Sequence, residues 1–84
     1  KLIFATTTPY PDKLGKQMRS PGMPKIYNKI ALRIMDKNKI KINDLYSLVL
    51  PKINRLQRPN NVHFNAKGSE FLAKQVVKSI MDSN

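Results

Sequence analysis

The chain has 84 residues, of which 40% are hydrophobic and 25% are charged, and it contains no cysteine. This balance is typical of a globular domain, and it excludes intrinsic disorder, disulfide cross-links and thiolate metal sites. Sixteen lysines and arginines against five acidic residues give a net charge of +11, which indicates either a polyanionic partner or a lysine-rich composition. No apolar stretch approaches the ~20 residues needed to cross a bilayer, so we expect no membrane span.

The first half of the chain predicts a strand, a helix and a second strand. An apolar run rich in strand-forming residues predicts a buried strand over 2–7, and the polar segment 12–22 predicts a loop. Apolar residues at helical spacing, with Pro24 in the first turn, predict an amphipathic helix over 23–37. Alternating residues predict a strand over 40–44, and two strands joined by a helix should be parallel with a right-handed crossover.

The second half predicts a short helical turn, a polar loop and a long helix. Asp44 is expected to cap a helical turn that Pro51 limits, and 54–61 reads as a polar loop. Asn65 is expected to cap a last helix over 66–82, whose paired apolar residues should pack on the face of the sheet.

These elements predict an α/β fold that is incomplete. A two-stranded parallel sheet is too small to be stable alone, because parallel sheets need cover on both faces. We therefore expect either further strands or oligomerisation. Since the first residue is not methionine, we also expect the chain to be part of a longer gene product.

His63 is the only histidine of the chain, and it lies in the loop 59–65 directly before the last helix. This position predicts a place at the carboxyl edge of the sheet, where open α/β enzymes hold their sites. The alternative interpretation is a loop histidine that packs or caps locally.

Four segments together resemble the second half of the SGNH (GDSL-type) hydrolases. They are Leu-Ile-Phe-Ala-Thr-Thr-Thr-Pro at 2–9, Tyr-Asn-Lys-Ile-Ala at 27–31, Ile-Asn-Asp-Leu-Tyr at 42–46 and Val-His-Phe-Asn-Ala-Lys-Gly at 62–68. The resemblance implies a partial flavodoxin-like three-layer fold, with 1–84 as the C-terminal portion of the domain. It also implies an ester hydrolase that needs no cofactor and no metal.

In that family a serine attacks an ester carbonyl, and a histidine takes and returns its proton. The resemblance makes His63 the general base, and it places Asn60 or Asn61 where the family has an acidic residue. The family's serine and oxyanion residues lie upstream of the matched segments, so we expect this chain alone to be inactive. The parent enzyme would act on a small acyl ester or an acetylated carbohydrate, and secretion or a periplasmic location fits the family.

Two other interpretations stay open. The first is a small basic module that binds nucleic acid or another polyanion through the cations near the polar loop, namely Lys52, Arg55, Arg58 and Lys67. The second is a non-catalytic relic that forms homo-oligomers through unpaired strand edges.

Overall fold

The computed structural model describes residues 2–11 and 22–83. Two short strands, four α-helices and a 3₁₀ turn follow one another along these residues. Their bounds are β1 Ile3–Ala5, α1 Met23–Lys37, β2 Lys41–Asn43, α2 Leu45–Val49, a 3₁₀ turn Leu50–Lys52, α3 Ile53–Leu56 and α4 Ala66–Asp82. Most of the predicted loop 12–22 lies outside the described residues.

The two strands are parallel, which confirms the predicted α/β character. Ile3 pairs with Lys41 and Ala5 pairs with Asn43. Both strands are shorter than the predicted spans 2–7 and 40–44. One further bond, from the Thr6 N–H to the Asn43 carbonyl at 3.0 Å, extends the pairing. Beyond this bond the side chains of Thr6 and Asp44 bond to each other, and the ladder ends.

Helix α1 has the bounds that the apolar spacing predicts. Gly22 precedes it with φ of 77°, a left-handed conformation that glycine adopts without steric cost, and Pro24 lies in its first turn. The buried side of the helix is narrow and consists of Pro24, Asn28 and Ala31. The adjacent apolar stripe is 47–56% exposed and comprises Met23, Ile26, Tyr27, Ile30 and Ile34. Much of the predicted apolar face is therefore uncovered.

The segment after β2 is more helical than the sequence predicts. Residues 54–56 were expected in a polar loop, but they belong to α3. The reason is tertiary, because Leu56 is buried where α3 packs against α4. Pro51 lies in the first turn of the 3₁₀ segment, where its missing N–H costs nothing.

Helix α4 also has the predicted bounds, but its packing differs from the expectation. The apolar pairs were expected to lie on the sheet, yet Val77, Ile80 and Met81 are 50–64% exposed. Between α4 and β1 a cavity of about 350 Å³ stays open, with Ile3 and Val76 in its walls. The prediction that this stripe packs on the sheet is therefore wrong for most of its residues.

Both uncovered stripes adjoin the first strand or its continuation. Val76 of α4 lines a cavity with Ile3, while Met23 of α1 lines another with Thr7 and Tyr10. Within residues 2–11 and 22–83, β1 pairs with β2 alone, so its other edge has no strand beside it. No helix among the described residues is both long and apolar enough to cross a membrane.

Candidate functional site

The carboxyl ends of the two strands are joined by a polar network centred on Asp44. The Thr6 hydroxyl donates to Asp44 Oδ1 at 3.0 Å and accepts from the Tyr46 N–H at 2.9 Å. Ser47 donates its N–H to Oδ1 at 3.2 Å and its hydroxyl to Oδ2 at 2.7 Å. Asp44 therefore caps α2, as the sequence predicts.

These bonds also determine the protonation of Asp44. Partial burial raises the pKa of this carboxyl, but the hydrogen bonds from Ser47 and Thr6 outweigh burial and hold the pKa below its ordinary value. A carboxylate engaged by three donors is an anchor for the start of α2. It thus has a structural role at the strand end.

A second polar contact joins α1 to Thr7, the residue that follows Thr6. Asn28 is buried, and its side-chain amide bonds to both backbone groups of Thr7. The amide oxygen accepts from the Thr7 N–H and the amide nitrogen donates to the Thr7 carbonyl, each at 2.8 Å. This pairing satisfies both backbone groups of Thr7 where the chain leaves β1. The sequence analysis does not predict this contact, although an asparagine on the apolar side of a helix indicates a buried hydrogen bond.

His63 lies on a hairpin-like loop between α3 and α4. Gln57 and Phe64 form an antiparallel bridge at the base of this loop, and the Arg58 N–H donates to the His63 carbonyl at 2.9 Å. The second bond of this bridge, from the Asn65 N–H to the Leu56 carbonyl, also measures 2.9 Å. The side chain of His63 is exposed. The loop therefore holds an accessible imidazole on a backbone that is bonded at both ends.

The contacts of α4 place this loop at the carboxyl end of the sheet. At its far end, Asp82 lines a cavity with Lys39 and Lys41, near the amino end of β2. Midway, Gln75 donates to the side chain of Asn43, at the carboxyl end of β2. Because α4 runs past β2 in this way, its first residues must lie beyond the carboxyl end of β2. The buried Gln57 at the loop base agrees, since its amide donates to the carbonyl of Pro9, four residues beyond the end of β1.

The two asparagines before the histidine have backbone roles. Asn61 Oδ1 accepts from the His63 N–H at 2.8 Å, a local turn typical of asparagine. This contact is to the backbone of His63 and not to its ring. Asn60 has φ of 53°, a left-handed conformation that asparagine tolerates better than most residues. The roles of His63, Asn60 and Asn61 in catalysis stay predictions.

The residues after the histidine fasten the loop to the helices. Asn65 caps α4 by accepting from the Gly68 N–H at 2.8 Å, and its amide nitrogen donates to the Arg55 carbonyl at 2.7 Å. At Gly68 a Cβ would lie 2.1 Å from the Leu56 carbonyl oxygen and 2.8 Å from a ring carbon of Phe64. Only glycine allows this approach of the two helices. The cap was predicted, whereas the contacts with α3 were not.

The cations near the loop are divided between two places. Lys52, Arg55 and Lys67 line one cavity of about 410 Å³. Arg58 lines a separate cavity of about 220 Å³ beside Asn60. The four cations that the polyanion interpretation groups together therefore line two cavities and not one.

Clusters of possible metal ligands and similarity to known proteins were the remaining sources of a functional assignment. No group of three or more histidine, cysteine or acidic side chains among the described residues could hold a metal ion. Comparison of the chain with family models, with curated proteins and with solved structures gave no match.

Proposed function

We propose that this chain is the C-terminal, histidine-bearing portion of an SGNH-type carboxylic ester hydrolase and that His63 is its general base. The observation that carries the proposal is the position of the exposed His63, on a bonded loop at the carboxyl end of a parallel sheet. Open α/β sheets bind their ligands at this end. The sequence of the loop and of the helix start, Val62 to Gly68, resembles the corresponding segment of the family.

In the proposed reaction the imidazole of His63 accepts the proton of a serine hydroxyl as the serine oxygen attacks an ester carbonyl. The same proton then passes to the oxygen of the leaving alcohol, and water releases the acyl group by the reverse route. The serine and the donors that stabilise the oxyanion would come from residues outside this chain. The chain itself supplies the base and the loop that positions it.

The asparagines at 60 and 61 limit the turnover that such an enzyme can reach. In serine proteases, replacing the acidic partner of the histidine by asparagine lowers turnover by about 10⁴-fold. Asn61 is neutral and already accepts from the His63 backbone. The proposed hydrolase would therefore stabilise a charged imidazolium poorly, and an acid at this position should raise its activity.

The finer fold assignment belongs to the same proposal. In a flavodoxin-like three-layer domain, β1 and β2 would continue into a larger parallel sheet next to the unpaired edge of β1. The neighbouring strands and helices would cover the exposed apolar stripes of α1 and α4. This arrangement explains why two amphipathic helices leave so much apolar surface uncovered.

The test uses the longer polypeptide that contains these residues and measures hydrolysis of p-nitrophenyl acetate. His63→Gln should lower kcat by about 10²- to 10⁴-fold, because it removes general acid–base catalysis. Lys74→Ala, on the exposed side of α4, is the control and should leave turnover unchanged. Equal turnover in the wild type and His63→Gln would contradict the proposal.

A second measurement tests the role of the asparagine. Asn61→Asp keeps the acceptor for the His63 N–H and adds a negative charge two residues before the histidine, so it should raise kcat. Asn61→Ser keeps a neutral oxygen and should not. Absence of any serine that reacts with a fluorophosphonate probe in the longer polypeptide would also refute the proposed chemistry.

A further inference from the structure

A cavity lies between the segment 50–56 and the first turns of α4. Its volume of about 410 Å³ falls within the range of small-molecule sites. Three cations line it, Lys52, Arg55 and Lys67, together with the apolar side chains of Leu56 and Phe71. The cavity therefore combines a cationic rim with an apolar floor.

The positive charge of this cavity is not neutralised by the described part of the chain. No acidic residue lines it, and the first turn of α4 contains none. Glu70, the nearest acid along α4, pairs with Lys74 at 3.4 Å. Within residues 2–11 and 22–83, none of the three lining cations has an ion-pair partner. Three like charges around one cavity repel one another, and a bound anion would relieve that repulsion.

The cations are carried by backbone that is held in place. Lys52 Nζ lies 4.9 Å from the centroid of the Phe71 ring, a cation–π contact between two residues that line the cavity. The carbonyl of Arg55 accepts from Asn65. The close approach at Gly68 sets the spacing of α3 and α4. The backbone that carries these cations is thus in place before any ligand arrives.

We propose that this cavity binds a phosphate monoester whose organic part is apolar. A phosphate dianion matches several converging cations, and the arginine can bond two of its oxygens at once. The apolar part of the ester would lie against Leu56 and Phe71. A polyanion such as nucleic acid would instead need cations spaced along a groove, but here they gather around one cavity and Arg58 lies elsewhere.

The test is a titration of the full chain with phenyl phosphate at low salt, followed by the backbone amide signals in two-dimensional NMR. Saturable shifts should be confined to residues 52–56 and 67–71. Arg55→Ala and Lys67→Ala should each weaken binding by about three- to tenfold, since each removes a charge-assisted contact. Lys29→Ala removes the same charge from the exposed face of α1 and should leave the affinity unchanged.

Several results would overturn the proposal. Equal weakening by Lys29→Ala would show attraction to net charge without a site. Inorganic phosphate binding as tightly as phenyl phosphate would show that the apolar floor contributes nothing. Binding of a single-stranded oligonucleotide without any binding of phenyl phosphate would favour a nucleic-acid surface. Because all three cations are exposed, their substitution should not prevent folding, and circular dichroism of each variant checks this.

Discussion

Replacing Gly68 with alanine adds one methyl group at a close contact between α4 and the segment before it. The new Cβ would lie 2.1 Å from the Leu56 carbonyl oxygen and 2.9 Å from its carbon. Both are backbone atoms, so no side-chain rotation can relieve the clash. To restore a normal contact distance, α4 would have to move away by about 1 Å.

Two effects of opposite sign decide the stability of Gly68→Ala. Alanine is the better helix former by about 1 kcal/mol. Overpacking costs about 1–3 kcal/mol and more in rigid places, and a backbone clash of this depth belongs at the upper end. We therefore expect a net loss of about 2 kcal/mol. For a domain of this size that corresponds to a fall in Tm of about 8–16 °C.

Urea and thermal unfolding, both followed by circular dichroism, measure this loss. Ser69→Ala is the matched control, since Ser69 is the next residue of the same helix and is exposed. The control should be neutral or slightly stabilising, as helix propensity alone predicts. If Gly68→Ala were as stable as Ser69→Ala, the reasoning from close packing of α3 and α4 would be refuted.

Three further substitutions test the polar contacts. Asn28→Ala removes the partner of both backbone groups of Thr7 and should lower the free energy of unfolding by about 1–3 kcal/mol, the net value of two hydrogen bonds. A loss no larger than that of Asn54→Ala, at an exposed position of α3, would contradict this. Asn65→Ala should cost about 1 kcal/mol through the lost cap, while Asn65→Ser should retain much of it, both read from urea midpoints. The pKa of Asp44 lies below its ordinary value in the folded chain, so this carboxylate stabilises the fold above about pH 4 and ceases to do so as the pH falls through the folded-state pKa. The stability difference between wild type and Asp44→Asn should therefore shrink on acidification; a difference that grows would show the opposite sign of linkage.

The long helices could be predicted because their signals are local. Apolar spacing and the first-turn proline define α1, and the cap at Asn65 defines the start of α4. Parallel pairing followed from the order of elements alone. Such features depend on residues a few positions apart, and the sequence displays them directly.

The rest depends on contacts between distant residues. Helix α3 forms where α4 buries Leu56. Apart from Leu56 and Pro59 the segment 54–61 is polar, so its local sequence favours a loop. In the same way the side chain of Gln57 donates to the carbonyl of Pro9, 48 positions away. No periodicity of the sequence predicts this hydrogen bond. The place of His63 at the sheet end was foreseen from the order of elements, but the fastening of its loop by Asn65 and Gly68 was not.

In the hairpin-like loop before α4, the residues that hold the loop in place are different from the residue that the loop exposes. The residues that hold it, Gln57, Asn65 and Gly68, lie at its base, and their contacts are with helices or with the segment after β1. His63 lies directly beside this base, since its carbonyl accepts from the Arg58 N–H, and its side chain meets solvent. The exposed imidazole is therefore separate from the contacts that hold the loop. Substitution of His63 should change the proposed chemistry and leave the fold in place.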